Sequence, residues 1–218
     1  LKLFFWLEKN LSSKELTELK ISEKLYELRS LEETFICESF ATISAFNANA
    51  AIIHYKANKF SQKKLDRDGL YLIDSGAHYL EGTTDTTRTI KIGNVSSEMI
   101  NNYTLVLKGH ISIATAIFPK NTKGREIDAL ARKALWTEGK DYAHGTGHGV
   151  GCLLSVHEGP ISISKNSECH IVNGMVISNE PGYYKSDEYG IRIENLEVVS
   201  KKYFKNSENF LHFENLTK

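Results

Sequence analysis

Three histidines in one short glycine-rich run are the first residues of this sequence whose types and spacing could do chemistry. The run AHGTGHGVGCLLSVHEGP, residues 143–160, contains His144, His148 and His157. Imidazole nitrogen is a common metal ligand, so the run by itself suggests a three-histidine metal cluster. A phosphate-binding loop is disfavoured, because no Lys-Ser or Lys-Thr pair follows the glycines.

Four acidic residues outside this run lie in or beside apolar segments. They are Asp74 in YLIDSG, Asp85 in GTTDTTRT, Glu180 in MVISNEPGYY and Glu194 in GIRIENLEV. The two aspartates could simply be turn residues, since Asp is common in turns. A carboxylate inside an apolar strand, however, is costly unless it is paired or coordinates a metal.

A buried salt bridge to Arg192 is the competing explanation for one of these acids. One arginine cannot neutralise four carboxylates, whereas two divalent cations could. Such cations accept carboxylate oxygen and imidazole nitrogen, and a carboxylate with two oxygens can bridge a metal pair. Four acids and one histidine would therefore form a coherent two-metal site.

The elements that must position these residues can be read from hydrophobic periodicity. The pattern predicts a helix over 22–30 capped by Ser22, a strand over 50–56 (AAIIHYK), and two strands around a glycine-bearing turn within 70–93. It also predicts a helix over 97–118, stopped by Pro119, and strands within 174–184 and 189–200. The amphipathic pattern of 122–139 predicts a helix whose inward positions are Ile127, Leu130, Ala131, Ala134 and Leu135.

Together these segments predict an α+β fold in which helices pack on a curved, mostly antiparallel sheet. A length of 218 residues fits one domain, 1–218. Because position 1 is Leu and not Met, we expect a domain cut from a longer chain.

Composition excludes several classes of function. Lys plus Arg and Asp plus Glu both total 27, so no charge bias favours nucleic acid or an anionic membrane. No apolar run is long enough to span a bilayer. Cys37, Cys152 and Cys169 are odd in number and contain no CxxC pair, which predicts buried free thiols and a cytoplasmic location.

Four sequence blocks together closely resemble one peptidase family. The blocks HGTGHGVGCLLSVHEGP, YLIDSGAHYLEGTTDTTRT, NEPGYY and GIRIEN resemble the catalytic domain of aminopeptidase P (Xaa-Pro aminopeptidase), in particular its cytosolic eukaryotic type. The similarity runs from near residue 1 to about residue 200. A combination of four blocks in the family's order is far more specific than any single block.

The resemblance implies a pita-bread fold and a dinuclear metal site. Two divalent ions, usually manganese with zinc or cobalt as alternatives, would be bound, with Asp85 and Glu194 as the bridging pair. The family reaction removes an N-terminal residue when proline is second, through a hydroxide that bridges the two metals. The ligands implied are Asp74, Asp85, His148, Glu180 and Glu194.

The resemblance also implies roles for residues around the metals. Glu180 would act as general base, His157 would stabilise the oxyanion, and His54 would hold the substrate. His144 would relay a proton or hold the chain beyond the scissile bond. Asp74 would lie near the substrate amine.

Three further side chains next to the ligands are expected to support the site. Arg192 would orient a ligand carboxylate. Tyr183 is predicted to contact substrate, and Tyr184 could line the same pocket. The expected partners are peptides with an Xaa-Pro N-terminus, with a homodimer of the full-length protein and neither nucleic acid nor membrane.

One departure and three alternatives accompany the resemblance. Family members carry Gly-Pro where FNANAAIIHY has Asn47 and Ala48, so the turn before His54 could differ. Methionine aminopeptidase and prolidase share the fold. A non-catalytic peptide-binding module is the alternative of another class, although all five metal positions are intact.

Overall fold

The computed structural model describes residues 1–11, 15–153 and 155–218. Its helices and strands follow one another in separate groups along the chain, an α+β arrangement as predicted. The helices are α1 Lys2–Asn10, α2 Glu18–Ser30, α3 Ser97–Ala114 and α4 Gly124–Trp136, with a short 3-10 helix at Asn47–Ala51.

The strands pair only in the antiparallel sense within the described residues. The strands are β1 Phe35–Glu38, β2 Ile43–Phe46, β3 Gly69–Ser75, β4 Ala77–Tyr79, β5 Gly82–Thr83, β6 Thr86–Ile92, β7 Ile117–Pro119, β8 Gly147–Gly149, β9 Glu158–Ile163, β10 Val176–Asn179, β11 Gly182–Lys185, β12 Tyr189–Arg192, β13 Asn195–Phe204 and β14 Ser207–Asn215. The largest sheet has the order β7-β14-β13-β10-β8-β9, and a three-stranded sheet has the order β2-β3-β6. Two smaller groups, β1-β4-β5 and β11-β12, complete the pairing of the described strands.

Helix α2 begins earlier than the sequence pattern predicts. Its N-cap is Thr17, whose hydroxyl accepts a hydrogen bond from the backbone N of Lys20, and not Ser22. An extended capping residue with a side-chain acceptor satisfies one of the orphan N–H groups of the first turn. The additional turn places Glu18 at the start of the helix, where it is fully buried.

Helices α3 and α4 lie as predicted, with two differences. Helix α3 ends at Ala114, because 117–119 extend as β7 and pair with β14. Helix α4 buries Ile127, Ala131 and Leu135, but Leu130 is 39% exposed, so its predicted inward position is wrong. Leu130 lies one helical step beyond the buried stripe.

The segment predicted as a strand over 50–56 is not one. It contains the end of the 3-10 helix and a turn that continues to Tyr55. The change of direction occurs at Asn47, whose φ of 51° is left-handed. Glycine adopts this conformation freely and asparagine tolerates it better than most residues, so Asn47 makes a turn that suits glycine.

The side chain of Asn47 also holds this turn against β3. Its Oδ1 accepts from the backbone N of Leu70 at 2.9 Å, and its Nδ2 donates to the carbonyl O of Asp68 at 3.2 Å. The departure from the family's Gly-Pro is therefore accommodated locally.

The cysteines are free, as predicted, but they are not buried. Cys37 and Cys152 are exposed and Cys169 is partly buried. In the described part of the chain, the helices are too short or too polar to cross a membrane.

Candidate active site

A cavity of about 440 Å³ collects most of the residues that the sequence singled out. Its volume lies in the range typical of small-molecule and peptide sites. An apolar wall, which includes Phe40, Ile43, Ile53 and Val156, faces the polar residues. Among the lining residues are His54, Asp74, Asp85, His144, His148, His157, Glu180 and Arg192.

The acids come together from two halves of the fold, and Asp74, Asp85 and Glu180 line the cavity. Asp74 lies on β3 opposite Thr87 of β6, and Asp85 directly precedes β6. Glu194 follows β12, and its backbone N donates to the carbonyl O of Thr87 at 3.2 Å. The predicted pairing of the segments that carry Asp74 and Asp85 is confirmed, with the short strands β4 and β5 between them.

A group of three residues lies close enough to hold one metal ion. One potential ligand atom from each of Asp85, His148 and Glu194 lies within 4.8 Å of the others. Nε2 of His148 also lies 3.2 Å from Oε1 of Glu180 and 3.3 Å from Oδ2 of Asp85.

The ring of His148 is oriented by its other nitrogen. Nδ1 lies 2.8 Å from the carbonyl O of Gly149, so it must carry the proton and donate. Nε2 is then the nitrogen that faces the carboxylates, as a metal ligand requires. The same arrangement at His144 places Nδ1 2.8 Å from the carbonyl O of Gly145.

The glycines beside His148 allow its strand to lie between its neighbours. A Cβ at Gly147 would collide with the carbonyl O of Ser178, and one at Gly149 would collide with that of Glu158. Glycine is required here by close approach of backbones.

Burial and like charge shift the protonation of the acids. Burial raises the pKa of Glu194 well above its usual value, and Asp85, Glu180 and Asp74 raise it further. Burial also raises the pKa of Asp85 to about 6, although His148 opposes this. Without a cation, four carboxylates in this space cannot all be ionised at low cost.

The pKa of His148 is shifted in the opposite sense to that of a lone buried histidine. Burial lowers its pKa, but hydrogen bonds to Asp85 and Glu180 outweigh burial and raise it to about 10. Without metal, a proton on Nε2 of His148 lies between Asp85 and Glu180, where a positive charge is favourable.

Two buried carboxylate oxygens in the cluster lack a hydrogen-bond partner among the described residues. They are Oδ1 of Asp74 and Oε1 of Glu194. Buried polar atoms are rarely left unpaired, and carboxylate oxygens with an imidazole nitrogen form a donor set for divalent cations. The residues present therefore fit the metal pair that the sequence implies.

Arg192 forms an ion pair with one of the four acids, Asp74. Its Nη2 donates to Oδ2 of Asp74 at 2.6 Å, and its Nη1 donates to the hydroxyl of Tyr184 at 2.7 Å. The Tyr184 hydroxyl lies 2.8 Å from Nε2 of His144. A continuous chain of contacts thus joins Asp74, Arg192, Tyr184 and His144.

The two tyrosines after Glu180 face opposite sides of β11, since side chains alternate along a strand. Tyr183 packs in a core cluster and against the ring of Tyr189, and it is not among the described residues that line the cavity. The structure does not bring Tyr183 to the cavity, so its predicted contact with substrate stays a prediction. Tyr184 is not among the described lining residues either, but its hydroxyl contacts Arg192 and His144, which line the cavity.

The remaining histidines surround the acids. The ring centroid of His157 lies 4.0 Å from that of His148, and burial and His148 together lower the pKa of His157. Burial lowers the pKa of His144 as well. His54 is exposed where it lines the cavity. The lowered pKa values of His144 and His157 favour the neutral imidazole beside the acid cluster.

Comparison with known proteins fits this geometry. Residues 2–201 match the model of metallopeptidase family M24. The chain belongs to this family. It is 50% identical, over 98% of its length, to a probable Xaa-Pro aminopeptidase P from Fusarium vanettenii, of which it covers 36%.

Solved structures give the same result and confirm the predicted pita-bread fold. The X-prolyl aminopeptidase from Caenorhabditis elegans, a cytosolic enzyme with a di-nuclear active site, is 44% identical with a TM-score of 0.93, over 99% of this chain and 36% of that one. Prolidase from Pyrococcus furiosus is 28% identical with a TM-score of 0.81, over 100% of this chain and 61% of that one. The M24 chain thus spans about a third of the length of the aminopeptidases it matches.

Proposed function

We propose that residues 1–218 form the catalytic domain of an Xaa-Pro aminopeptidase, which releases the N-terminal residue from peptides with proline second. The observation that carries this proposal is the grouping of Asp85, His148 and Glu194 within 4.8 Å, beside a cavity that also holds three more histidines. Similarity to proteins named Xaa-Pro aminopeptidase supports the proline preference.

Five residues would hold two divalent ions, for which we propose manganese, with zinc or cobalt as alternatives. Asp85 and Glu194 would be shared between the ions. When bound, the ions would lower the pKa of a shared water, so that hydroxide is available near neutral pH, and would polarise the scissile carbonyl. The full ligand set is Asp74, Asp85, His148, Glu180 and Glu194.

Glu180 is the proposed general base. Its Oε1 accepts from the hydroxyl of Ser178 at 2.9 Å, which fixes the carboxylate at the edge of the cluster. His148 holds its pKa low, at about 2, against the effect of burial. A carboxylate that is ionised and oriented can receive the proton released when water attacks.

The histidines that are not ligands would act on the substrate. His157 would donate to the oxyanion that develops at the scissile carbonyl, and His54 would hold the peptide. His144 would relay a proton or hold the chain beyond the scissile bond. Its contact with Tyr184 ties it to Arg192, which orients Asp74 near the substrate amine.

We also propose peptides with an Xaa-Pro N-terminus as the partners, and neither nucleic acid nor membrane. A cytoplasmic location is supported by the three free thiols and by similarity to a cytosolic enzyme. A homodimer of the full-length protein is the proposed assembly.

A peptide panel tests this function. The manganese-loaded protein should release Arg from Arg-Pro-Pro, and a peptide with Ala at the second position should be cleaved at least about 100-fold less efficiently, in line with discrimination by a shaped pocket. Equal cleavage of the Ala peptide would contradict the proline preference. Cleavage of Arg-Pro but not of Arg-Pro-Pro would identify a prolidase.

A further inference from the structure

One buried carboxylate outside the metal cluster accepts hydrogen bonds from several groups of the chain itself. Glu18, at the start of α2, is 0% exposed. Both of its oxygens accept hydrogen bonds. The donors are the backbone N of Phe46 at 2.6 Å, the backbone N of Lys63 at 2.8 Å, the hydroxyl of Tyr55 at 2.9 Å and Nδ2 of Asn49 at 3.0 and 3.1 Å.

All four donors belong to one segment, residues 46–63, which we name the histidine segment. It leaves β2, passes through the 3-10 helix and a turn, and returns toward α2. His54 and Ile53, which line the cavity, lie at its centre, directly before Tyr55. The anchoring contacts therefore flank the residues that face substrate.

The backbone of Glu18 makes two more hydrogen bonds close to its carboxylate, and we call this set of contacts the anchor. The backbone N of Glu18 donates to the carbonyl O of Lys63 at 3.1 Å. The hydroxyl of Ser44, on β2, donates to the carbonyl O of Glu18 at 2.6 Å. Glu18 thus joins both ends of the histidine segment to one point on α2.

The segment depends on this anchor because it has little regular structure of its own. Irregular chain is held by few backbone hydrogen bonds, and such regions open locally at low free-energy cost unless side chains fix them. Hydrogen bonds from N–H and O–H groups to an ionised carboxylate are among the stronger ones. Burial raises the pKa of Glu18, while the bonds from Lys63, Phe46, Asn49 and Tyr55 oppose that rise.

We infer that Glu18 is a positioning residue for His54: it fixes the histidine segment in the conformation that brings Ile53 and His54 to the cavity. The catalytic consequence rests on the proposed function, in which His54 holds the peptide. Glu18 lies at the start of α2 and acts through the segment, without contact with substrate.

Glu18→Gln is the variant that tests the anchor. A Gln side chain replaces one acceptor oxygen with an NH₂ donor. Whichever oxygen is replaced, the backbone N–H of Phe46 or of Lys63 then faces a donor. Ile21→Ala is the matched control, because Ile21 is a fully buried residue of the same helix whose core cluster includes Phe46 but no residue of 47–63.

Amide hydrogen exchange gives a readout that is independent of activity. In the manganese-loaded protein, Glu18→Gln should raise exchange within residues 49–63 at least about tenfold and leave β3 and β6 protected. Ile21→Ala should not raise exchange selectively there. Unchanged exchange in Glu18→Gln, or the same selective increase in Ile21→Ala, would overturn the anchor.

A double-mutant cycle then tests whether the anchor acts through His54. Glu18→Gln should lower kcat/KM for Arg-Pro-Pro about tenfold, mainly through KM, with two metals retained. In the His54→Ala background the same substitution should cost less than about twofold, because coupled residues are not additive. If the two losses multiply, Glu18 does not act through His54 and the inference is wrong.

The two readouts separate this inference from the proposed function. A wild-type protein that does not cleave Arg-Pro-Pro contradicts the proposed function, and the exchange result alone then decides whether Glu18 anchors the segment. An active enzyme with an unperturbed segment in Glu18→Gln contradicts the inference alone.

Discussion

Glu18 and Glu194 are buried to almost the same extent, with exposures of 0% and 1%, yet their surroundings differ completely. Burial raises the pKa of both. Both oxygens of Glu18 accept hydrogen bonds from the chain, whereas Glu194 accepts one side-chain bond, from Thr87, and leaves Oε1 unpaired. A buried carboxylate whose oxygens all accept hydrogen bonds from the chain holds neighbouring segments in place. A buried carboxylate with an unpaired oxygen beside other acids indicates that a cation from outside the chain binds there.

The largest effects should come from removing histidine side chains at the acid cluster. His148→Ala removes the nitrogen that faces Asp85 and Glu180, so the protein should lose bound manganese and at least about 1,000-fold in kcat. His157→Ala should retain the metals and lose about 100-fold in kcat, since it removes only a donor to the oxyanion. Elemental analysis and turnover of Arg-Pro-Pro distinguish these outcomes, and equal metal loss in both variants would contradict the division of roles.

Removal of the metal should lower the free energy of unfolding, because the acids of the cluster then repel one another without a cation. Manganese at about 1,000 times its dissociation constant should stabilise the fold by about 4 kcal/mol against unfolding. In the metal-free protein the pKa values of Glu194 and Asp85 are higher in the folded than in the unfolded state. Their contribution to the free energy of unfolding is therefore most favourable below about pH 4 and is lost as pH rises. Denaturant unfolding with and without manganese measures this.

The slope of stability with pH is the control in that experiment. For Asp85, stability should fall from about pH 4 through about pH 6 without metal, and this fall should diminish when manganese is bound. An equal slope in both forms would show that the acids do not hold the metal.

Glu197 extends the comparison to a third buried acid. Its Oε1 accepts from Nδ2 of Asn179 at 2.9 Å, its Oε2 is unpaired among the described residues, and burial raises its pKa to about 7. Its contribution to stability is therefore present below about pH 4.5 and is lost as pH rises through 7. Glu197→Gln should stabilise the fold by about 3 kcal/mol at pH 8 and have little effect at pH 4. Chemical denaturation at both pH values checks this, and equal effects would contradict it.

Tyr184→Phe should give the smallest of these effects. Removal of the hydroxyl leaves Nη1 of Arg192 and Nε2 of His144 without that partner, while the acids are untouched. We expect about a tenfold fall in kcat and full metal content, because each of the two hydrogen bonds lost in the site contributes on the order of 1 kcal/mol or less. Tyr183→Phe is the matched control on the opposite face of β11 and should keep near-wild-type kcat. A loss of metal in Tyr184→Phe would contradict this expectation and would show that the contacts of Tyr184 are needed for metal binding.

The parts that sequence predicted best are those set by strand pattern and by the types of residue in the site. Asp74 and Asp85 could be assigned to neighbouring strands because apolar runs and a turn between them fix that pairing. The four acids could be grouped with one histidine because buried carboxylates need compensation, and the family resemblance selected His148.

The parts that sequence missed depend on contacts between distant segments. The apolar letters of AAIIHYK favour a strand, but the left-handed turn at Asn47 and the anchor at Glu18 impose another path. Tyr183 and Tyr184 are identical in type, so only the face of β11 distinguishes them. Glu18 lies before the helix predicted over 22–30, and it is buried only because β2 and the histidine segment pack over it.

Metal content of two matched variants tests most directly whether the unsatisfied Glu194 of the acid cluster binds the metals and the satisfied Glu18 does not. Wild type and Glu18→Gln should each bind two manganese ions per chain, and Glu194→Gln should bind fewer, measured by elemental analysis after equilibration with manganese. Equal metal content in Glu194→Gln and Glu18→Gln would contradict the distinction between the two carboxylates.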